Sequence, residues 1–177
     1  ALPIYRVLEL RLGEEARRRV LAETLGEVSA SLVASRDSES TLEGLLDALP
    51  RVVDHDAALI MLRREEENVY VVRAARGQID ESPYLDRTLP ADDRALDQMW
   101  AILHELAAPE EGAERYGQDR LYAPMQVGGK EVGLLAIQRI GGDHFADDDI
   151  EIINTFANQA ALALEGTQLF AAQQEEA

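Results

Sequence analysis

The sequence predicts an α+β domain in which an antiparallel sheet is bracketed by helices from the two ends of the chain, and three observations carry that prediction. RLYAPMQV, the pair Gly128-Gly129 and KEVGLLAIQRI read as two apolar strands joined by two residues able to take positive φ. Asp56 to Arg63 (DAALIMLR) is apolar at every position from Ala57 to Leu62, and after the charged stretch Arg64 to Asn68 the run Val69 to Ala75 (VYVVRAA) returns as its partner. Toward both ends of the chain the apolar residues recur at threes and fours instead of alternating. A chain of 177 residues is long enough for one ordinary core and too short for two full domains.

The elements follow in order. Glu14 to Val33 carries Val20, Leu21, Leu25, Val28 and Leu32 on one stripe with Ala and Glu between them, an amphipathic helix that Leu8 to Leu12 can extend at its front. After the polar break Ser35 to Ser40, a second helix carries Leu42, Leu45, Leu46, Leu49 and Val53; Ser38 or Ser40 supplies its cap, with Thr41 and Glu43 in its first turn. The unbroken apolar run from Ala57 to Leu62 predicts a strand covered on both faces, and Gly77 ends its partner.

Gln78 to Asp119 is less regular. Pro83, Pro90 and Pro109 interrupt it, a short strand is expected at Asp86 to Leu89, and a helix near Asp92 to Glu105 carries Leu96, Met99, Trp100 and Leu103. So long an insertion between hairpins is commonly a lid or a wall of a binding site. In the second hairpin Val132 to Ile137 is expected in the middle of the sheet, whereas Pro124 cannot donate a ladder hydrogen bond and belongs at an edge or a bulge. Asp147, Asp148 and Asp149 put negative charge at the start of a last helix, where Ile150, Ile153, Phe156, Ala157, Ala160, Ala161 and Leu164 form one stripe running on toward Gln173.

Composition narrows the function. A formal net charge of −17, with no cluster of Lys or Arg, repels nucleic-acid phosphates and anionic lipid, so neither is an expected partner. The absence of cysteine removes disulfides, thiolate catalysis, thiolate metal ligands and a thioether-linked chromophore together. No apolar run reaches bilayer length, and the first segment mixes Glu and Arg with Leu, unlike a secretory signal; a cytoplasmic setting is expected.

The order helix, helix, strand pair, variable insertion, Gly-Gly hairpin, and then Phe145 with an acidic run opening a helix resembles the GAF domain family. The segments that carry the resemblance are LYAPMQVGGKEVGLLAI and FADDDIEIINTFANQAALALE, and it extends over Val20 to Glu165. It implies a central six-stranded antiparallel sheet, N- and C-terminal helices packed on one face, and a loop and helix lobe forming a pocket on the other. It divides the chain into a lead-in helix or linker at 1–19, the domain at 20–166 and an exit helix at 167–177. By the resemblance, the function is that of a non-catalytic sensory input domain of a larger bacterial signalling protein, whose output is a histidine kinase, cyclase, phosphatase or transcription regulator. A homodimer through the terminal helices and an unidentified small-molecule ligand are the implied partners. Tyr84, Met99, Trp100, His104, Tyr122 and Met125 are the large side chains nearest the expected pocket, where an apolar lining with a few polar handles is the usual arrangement. The alternative is a ligand-free dimerisation spacer.

Other motifs point to less. Phe145 and Asp149 match the F-x-x-x-D part of the family's cyclic-nucleotide signature, but Ile150 stands where Glu is expected and Gln138 and Arg139 do not supply its Asn-Lys pair, so cyclic-nucleotide binding is not expected. Without cysteine, neither covalent bilin attachment nor the sulfoxide-reductase chemistry of some members is expected. Gly141 to Phe145 is similar to a diguanylate cyclase signature but leads into a terminal helix, and Gly128-Gly129-Lys130 leads into a strand where a phosphate loop would lead into a helix. His55, His104 and His144 are too scattered for a metal site. Asp143, His144, Asp147 and Asp148 read as a solvated helix start, with metal-assisted hydrolysis as the enzymatic alternative.

Overall fold

The computed structural model describes residues 13, 15–27, 30, 38–109, 111, 118–141 and 144–176. Helix α1 covers residues 15–27, and Val28 and Leu32 of its predicted stripe lie outside the described residues. Helix α2, Ser38–Ala48, passes into a 3-10 turn at Leu49–Arg51 where Pro50 tolerates the loss of an amide donor. The strands β1 (Ala57–Arg64) and β2 (Val69–Arg76) form the first hairpin, a 3-10 turn at Ser82–Tyr84 leads to the short β3 (Thr88–Pro90), and α3 (Ala95–Leu106) follows. The second hairpin is β4 (Gln118–Val127) and β5 (Lys130–Ile140), and α4 runs from Asp147 to Glu176.

The described strands make one antiparallel sheet of five, in the order β3-β2-β1-β5-β4. The resemblance implied six. Between β3 and β4 the described chain is given to α3, whose spacing of threes and fours buries Ala95, Met99, Ile102, Leu103 and Leu106 against the sheet and supplies no alternating run for a further strand. β5 lies between β1 and β4, as its apolar run requires. Pro124 sits on β4 at the sheet's edge, beside a bulge between Met125 and Gln126. Gly128 and Gly129 take φ of 59° and 81°, the paired left-handed turn that suits the twist of a two-residue hairpin.

The two faces of the sheet carry separate cores, and strand alternation sorts residues between them. Ala58, Ile60, Leu135 and Ile137 face Leu42, Leu45 and Leu46 of α2, Leu49 of the 3-10 turn, and Ile152, Ile153 and Phe156 of α4. Ala57, Leu59, Met61, Leu134 and Ala136 face Met99, Ile102, Leu103 and Leu106 of α3. A bulge between Ile60 and Met61 shifts the β1–β2 register, with Ile60 opposite Ala74 and Met61 opposite Val72. The residue left over, Arg73, is exposed and pairs with Asp86 at 3.3 Å.

The stripe of α4 is shifted from the sequence expectation. Ile152 joins Ile153, Phe156, Ala157, Ala160, Ala161 and Leu164 in the core, while Ile150 is 42% exposed at the edge of the stripe. In the first turn the inward position belongs to Asp149, whose Oδ2 accepts from the Ala146 amide at 2.8 Å. The outer surface of α4 thus presents Ile150, Asn154, Asn158 and Leu162 at intervals of one turn. Among the described residues, no helix is long and apolar enough to cross a membrane.

Candidate functional site

Helix α3 lies over β1 and β5 and leaves part of β4 uncovered. Trp100 and His104 are one turn apart and both half-buried, so they share the flank of α3 that looks toward the uncovered strand. The hairpin register sets Arg120 opposite Gln138 and Tyr122 opposite Ala136. On this face Trp100 meets Tyr122 edge to face, with ring centroids 6.1 Å apart and planes at 64°. The Arg120 guanidinium lies over the indole, 5.4 Å from its centroid. His104 Nδ1 is 3.5 Å from Nε2 of Gln138, a fully buried residue of the central strand.

The side chains brought together are therefore Trp100, His104, Arg120, Tyr122 and Gln138, on three elements. Tyr122 remains 48% exposed, which leaves part of its ring open for stacking. Of the residues named from sequence, Trp100, His104 and Tyr122 meet here, and Met99 is completely buried beneath them as core. Tyr84 sits on a different flank of α3: its hydroxyl donates to Glu105 at 2.9 Å, and Arg87 lies over its ring at 4.6 Å. That hydrogen bond, together with burial, raises the phenol above its ordinary value. Met125 is on the opposite face, under α2 and α4. A spacing of three along a strand puts Tyr122 and Met125 on opposite sides of the sheet.

Arg120 and Gln138 were not named as site residues from sequence. Gln138 carried a usable signal, since it is a polar residue at the end of an apolar strand and two places from Ala136, hence on the same face. Arg120 carried none without the register.

A separate groove of about 570 Å³ opens on the helix side, at the turn ends of both hairpins. Leu62, Val127, Val132, Ala161 and Leu164 form its apolar floor, and Lys130, paired with Glu65 at 2.9 Å, stands on its rim. Glu131, also on the rim, accepts from the Tyr70 hydroxyl, and burial together with that bond pushes the phenol up to about 12.

The F-x-x-x-D motif has a structural use here. Phe145 packs against the helix-side core with Arg139 over its ring at 4.2 Å, and Arg139 Nη2 in turn donates to the Asp54 carbonyl at 2.7 Å. Asp149 closes the first turn of α4 and is buried. The three histidines stand apart: His55 Nδ1 lies 2.8 Å from the Val53 carbonyl and burial lowers its pKa, while His144 reaches Asp119 and His104 reaches Gln138. Among the described residues no group of three His, Asp or Glu side chains is arranged to hold a metal ion, and Asp143 lies outside them.

The comparisons agree with this architecture. The family model for the GAF domain matches residues 37–166, and the chain belongs to that family. The GAF domain of a phosphoenolpyruvate-protein phosphotransferase from Coxiella burnetii is similar at 17% identity and a TM-score of 0.64, covering 86% of this chain and 96% of that one. The phycoerythrobilin-bound GAF domain of a cyanobacterial phytochrome is similar at 14% identity and a TM-score of 0.64, covering 85% and 97%. A methyl-accepting chemotaxis protein, residues 122 to 287, is similar at 18% identity and a TM-score of 0.60, covering 81% and 98%. At these identities the likeness is one of fold. No curated protein matches the sequence.

Proposed function

We propose that this GAF domain is a sensory input module of a larger bacterial signalling protein, reading a small molecule at the Trp100, His104, Arg120 and Tyr122 face and passing the event to its terminal helices. The observation that carries the reading is the position of β5. Its alternate residues face α3 on one side, with Gln138 beside His104, and α4 on the other, through Leu135 and Ile137. A displacement of α3 therefore reaches α4 through one strand, with no loop between them. Family membership supports the regulatory role, and the similar structures come from a phosphotransferase, a phytochrome and a chemotaxis protein, each a setting for signal input. The open Tyr122 ring, next to the Trp100 indole, favours a planar ligand able to stack.

The outward row Ile150, Asn154, Asn158 and Leu162 on α4 is the surface that would pair with a second copy, since a narrow apolar seam with interleaved Asn suits a helix partner. In such a dimer a shift of α4 changes helix packing between subunits, which an effector can read.

The test is a thermal-shift screen of small aromatic carboxylates and purine nucleotides on the wild-type chain and on Tyr122→Ala. At a hundredfold excess over Kd a ligand stabilises by about 2.7 kcal/mol. The expected result is at least one compound that raises Tm in the wild type and has no effect on Tyr122→Ala. A compound acting equally on both chains contradicts this site, and a screen without response favours the ligand-free spacer. Light scattering on the same samples is expected to give the mass of a dimer; a monomer at high concentration contradicts the helical pairing.

A further inference from the structure

Helix α1 is held by unusual means. Leu21 and Leu25 rest on the helix-side core, and ion pairs tie both ends: Glu27 accepts from Arg51, and Arg17 Nη2 donates to Asp149 Oδ1 at 2.8 Å. Arg17 Nη1 lies 3.7 Å from Asp148 as well. The Asp149 side chain is only 8% exposed, so its pairing with Arg17 is shielded from water more than a surface ion pair. Its other oxygen, Oδ2, accepts from the Ala146 amide and so closes the first turn of α4. One carboxylate thus holds the first turn of α4 with one oxygen and α1 with the other.

At Thr24 the seat of α1 is imperfect. Thr24 is completely buried, and among the described residues its hydroxyl has no hydrogen-bond partner, an arrangement that costs about 1–3 kcal/mol. A shallow cleft of about 90 Å³, open to solvent, runs between the helices and is lined by Arg17, Arg18, Leu21, Asp148, Glu151 and Ile152. Water can enter this cleft and compete for the charged side chains that line it. A helix seated by a shared carboxylate, with a solvent-open cleft beside it and an unpaired hydroxyl beneath it, is suited to leave and return.

We propose that α1 is a detachable strap, seated by Arg17 on Asp149, and that its release opens the first turn of α4 in the same event. The strap stands on these contacts, and it rests on the relay reading above only for its output: α1 would set whether the start of the exit helix is closed. The Asp149 and Ile150 amides, which donate to the Ala146 carbonyl at 3.0 and 3.2 Å, report that turn directly.

Amide hydrogen exchange on the full chain tests it, with Arg17→Gln to weaken the seat and Thr24→Val to remove the unpaired hydroxyl at nearly constant shape. In Arg17→Gln, amides of 15–27 and those of Asp149 and Ile150 are expected to exchange together, roughly threefold to tenfold faster, for a loss of about 1 kcal/mol, while Leu134 to Ile137 of β5 keep their protection. In Thr24→Val both sets are expected to slow. Faster exchange in α1 with the α4 turn unchanged overturns the coupling, and no change in either overturns the seat. Acceleration shared equally by β5 is global unfolding and overturns the strap as well. None of these outcomes alters a ligand response at Tyr122, so failure of the strap and failure of the sensory reading are separable.

Discussion

Replacing Gly133 by alanine is expected to cost about 3 kcal/mol or more, a large fraction of the roughly 5–15 kcal/mol by which an ordinary domain is stable. A Cβ there would stand 2.3 Å from the Met61 carbonyl oxygen and 3.1 Å from a Leu62 methyl. The first neighbour is backbone of the adjacent central strand, so no rotamer change relieves it and β1 must move away from β5. Both cores then lose their shared wall, because alternate residues of these strands serve α3 and α4. Gly128→Ala is the control. Its φ of +59° makes alanine strained, but nothing lies within 4 Å, and a cost of about 1–2 kcal/mol is expected. Urea unfolding checks both; equal losses would mean that backbone conformation, and not the approach of the strands, decides the position.

Phe156→Ala has the next largest expected effect, a loss of about 3–5 kcal/mol. Phe156 is 1% exposed and is among the largest fully buried side chains of the domain, set on α4 among residues of α2 and the sheet. Little around it can collapse, since α4 is held at its first turn by Asp149 and the neighbouring Ala157, Ala160 and Ala161 are already small. Leu162→Ala removes a comparable side chain from the same helix at 58% exposure, and a change within about 0.5 kcal/mol is expected for the monomer. A loss at Phe156 no greater than at Leu162 would contradict the assignment of the α4 face.

The contrast between these positions shows what the sequence could reveal. The second hairpin was legible because two adjacent glycines can adopt positive φ together, and an apolar run such as Val132 to Ile137 needs cover on both sides. The α2 and α4 stripes were legible because burial on one helix face leaves a 3.6-residue period. Ile150 was misplaced because it sits at the edge of that stripe, where the first turn gives its inward position to a capping carboxylate. A count of six strands belongs to the resemblance, whereas in the described chain the variable segment is used for α3.

The site was less legible because it is assembled from register. Trp100 and His104 were recognisable as helical neighbours, but Arg120 and Gln138 meet them only through cross-strand pairing, which a two-residue turn and a bulge at Met125/Gln126 set. Met125 and Tyr122 are both expected near the pocket as large side chains, but the period of a strand puts them on opposite faces. The strap was hidden for the same reason, since Arg17 and Asp149 are 132 residues apart.

The central claim is that β5 couples the α3 face to α4. Amide chemical-shift mapping of His104→Ala tests it most directly, because His104 is half-buried and its removal perturbs the Gln138 contact with little risk to the fold. Coupling predicts shifts at Gln138 that continue through Ile137 and Leu135 to Ile153, Phe156 and Ala157 of α4. Shifts confined to α3 and to the α3-facing residues Leu134, Ala136 and Gln138, with α4 unchanged, would contradict it.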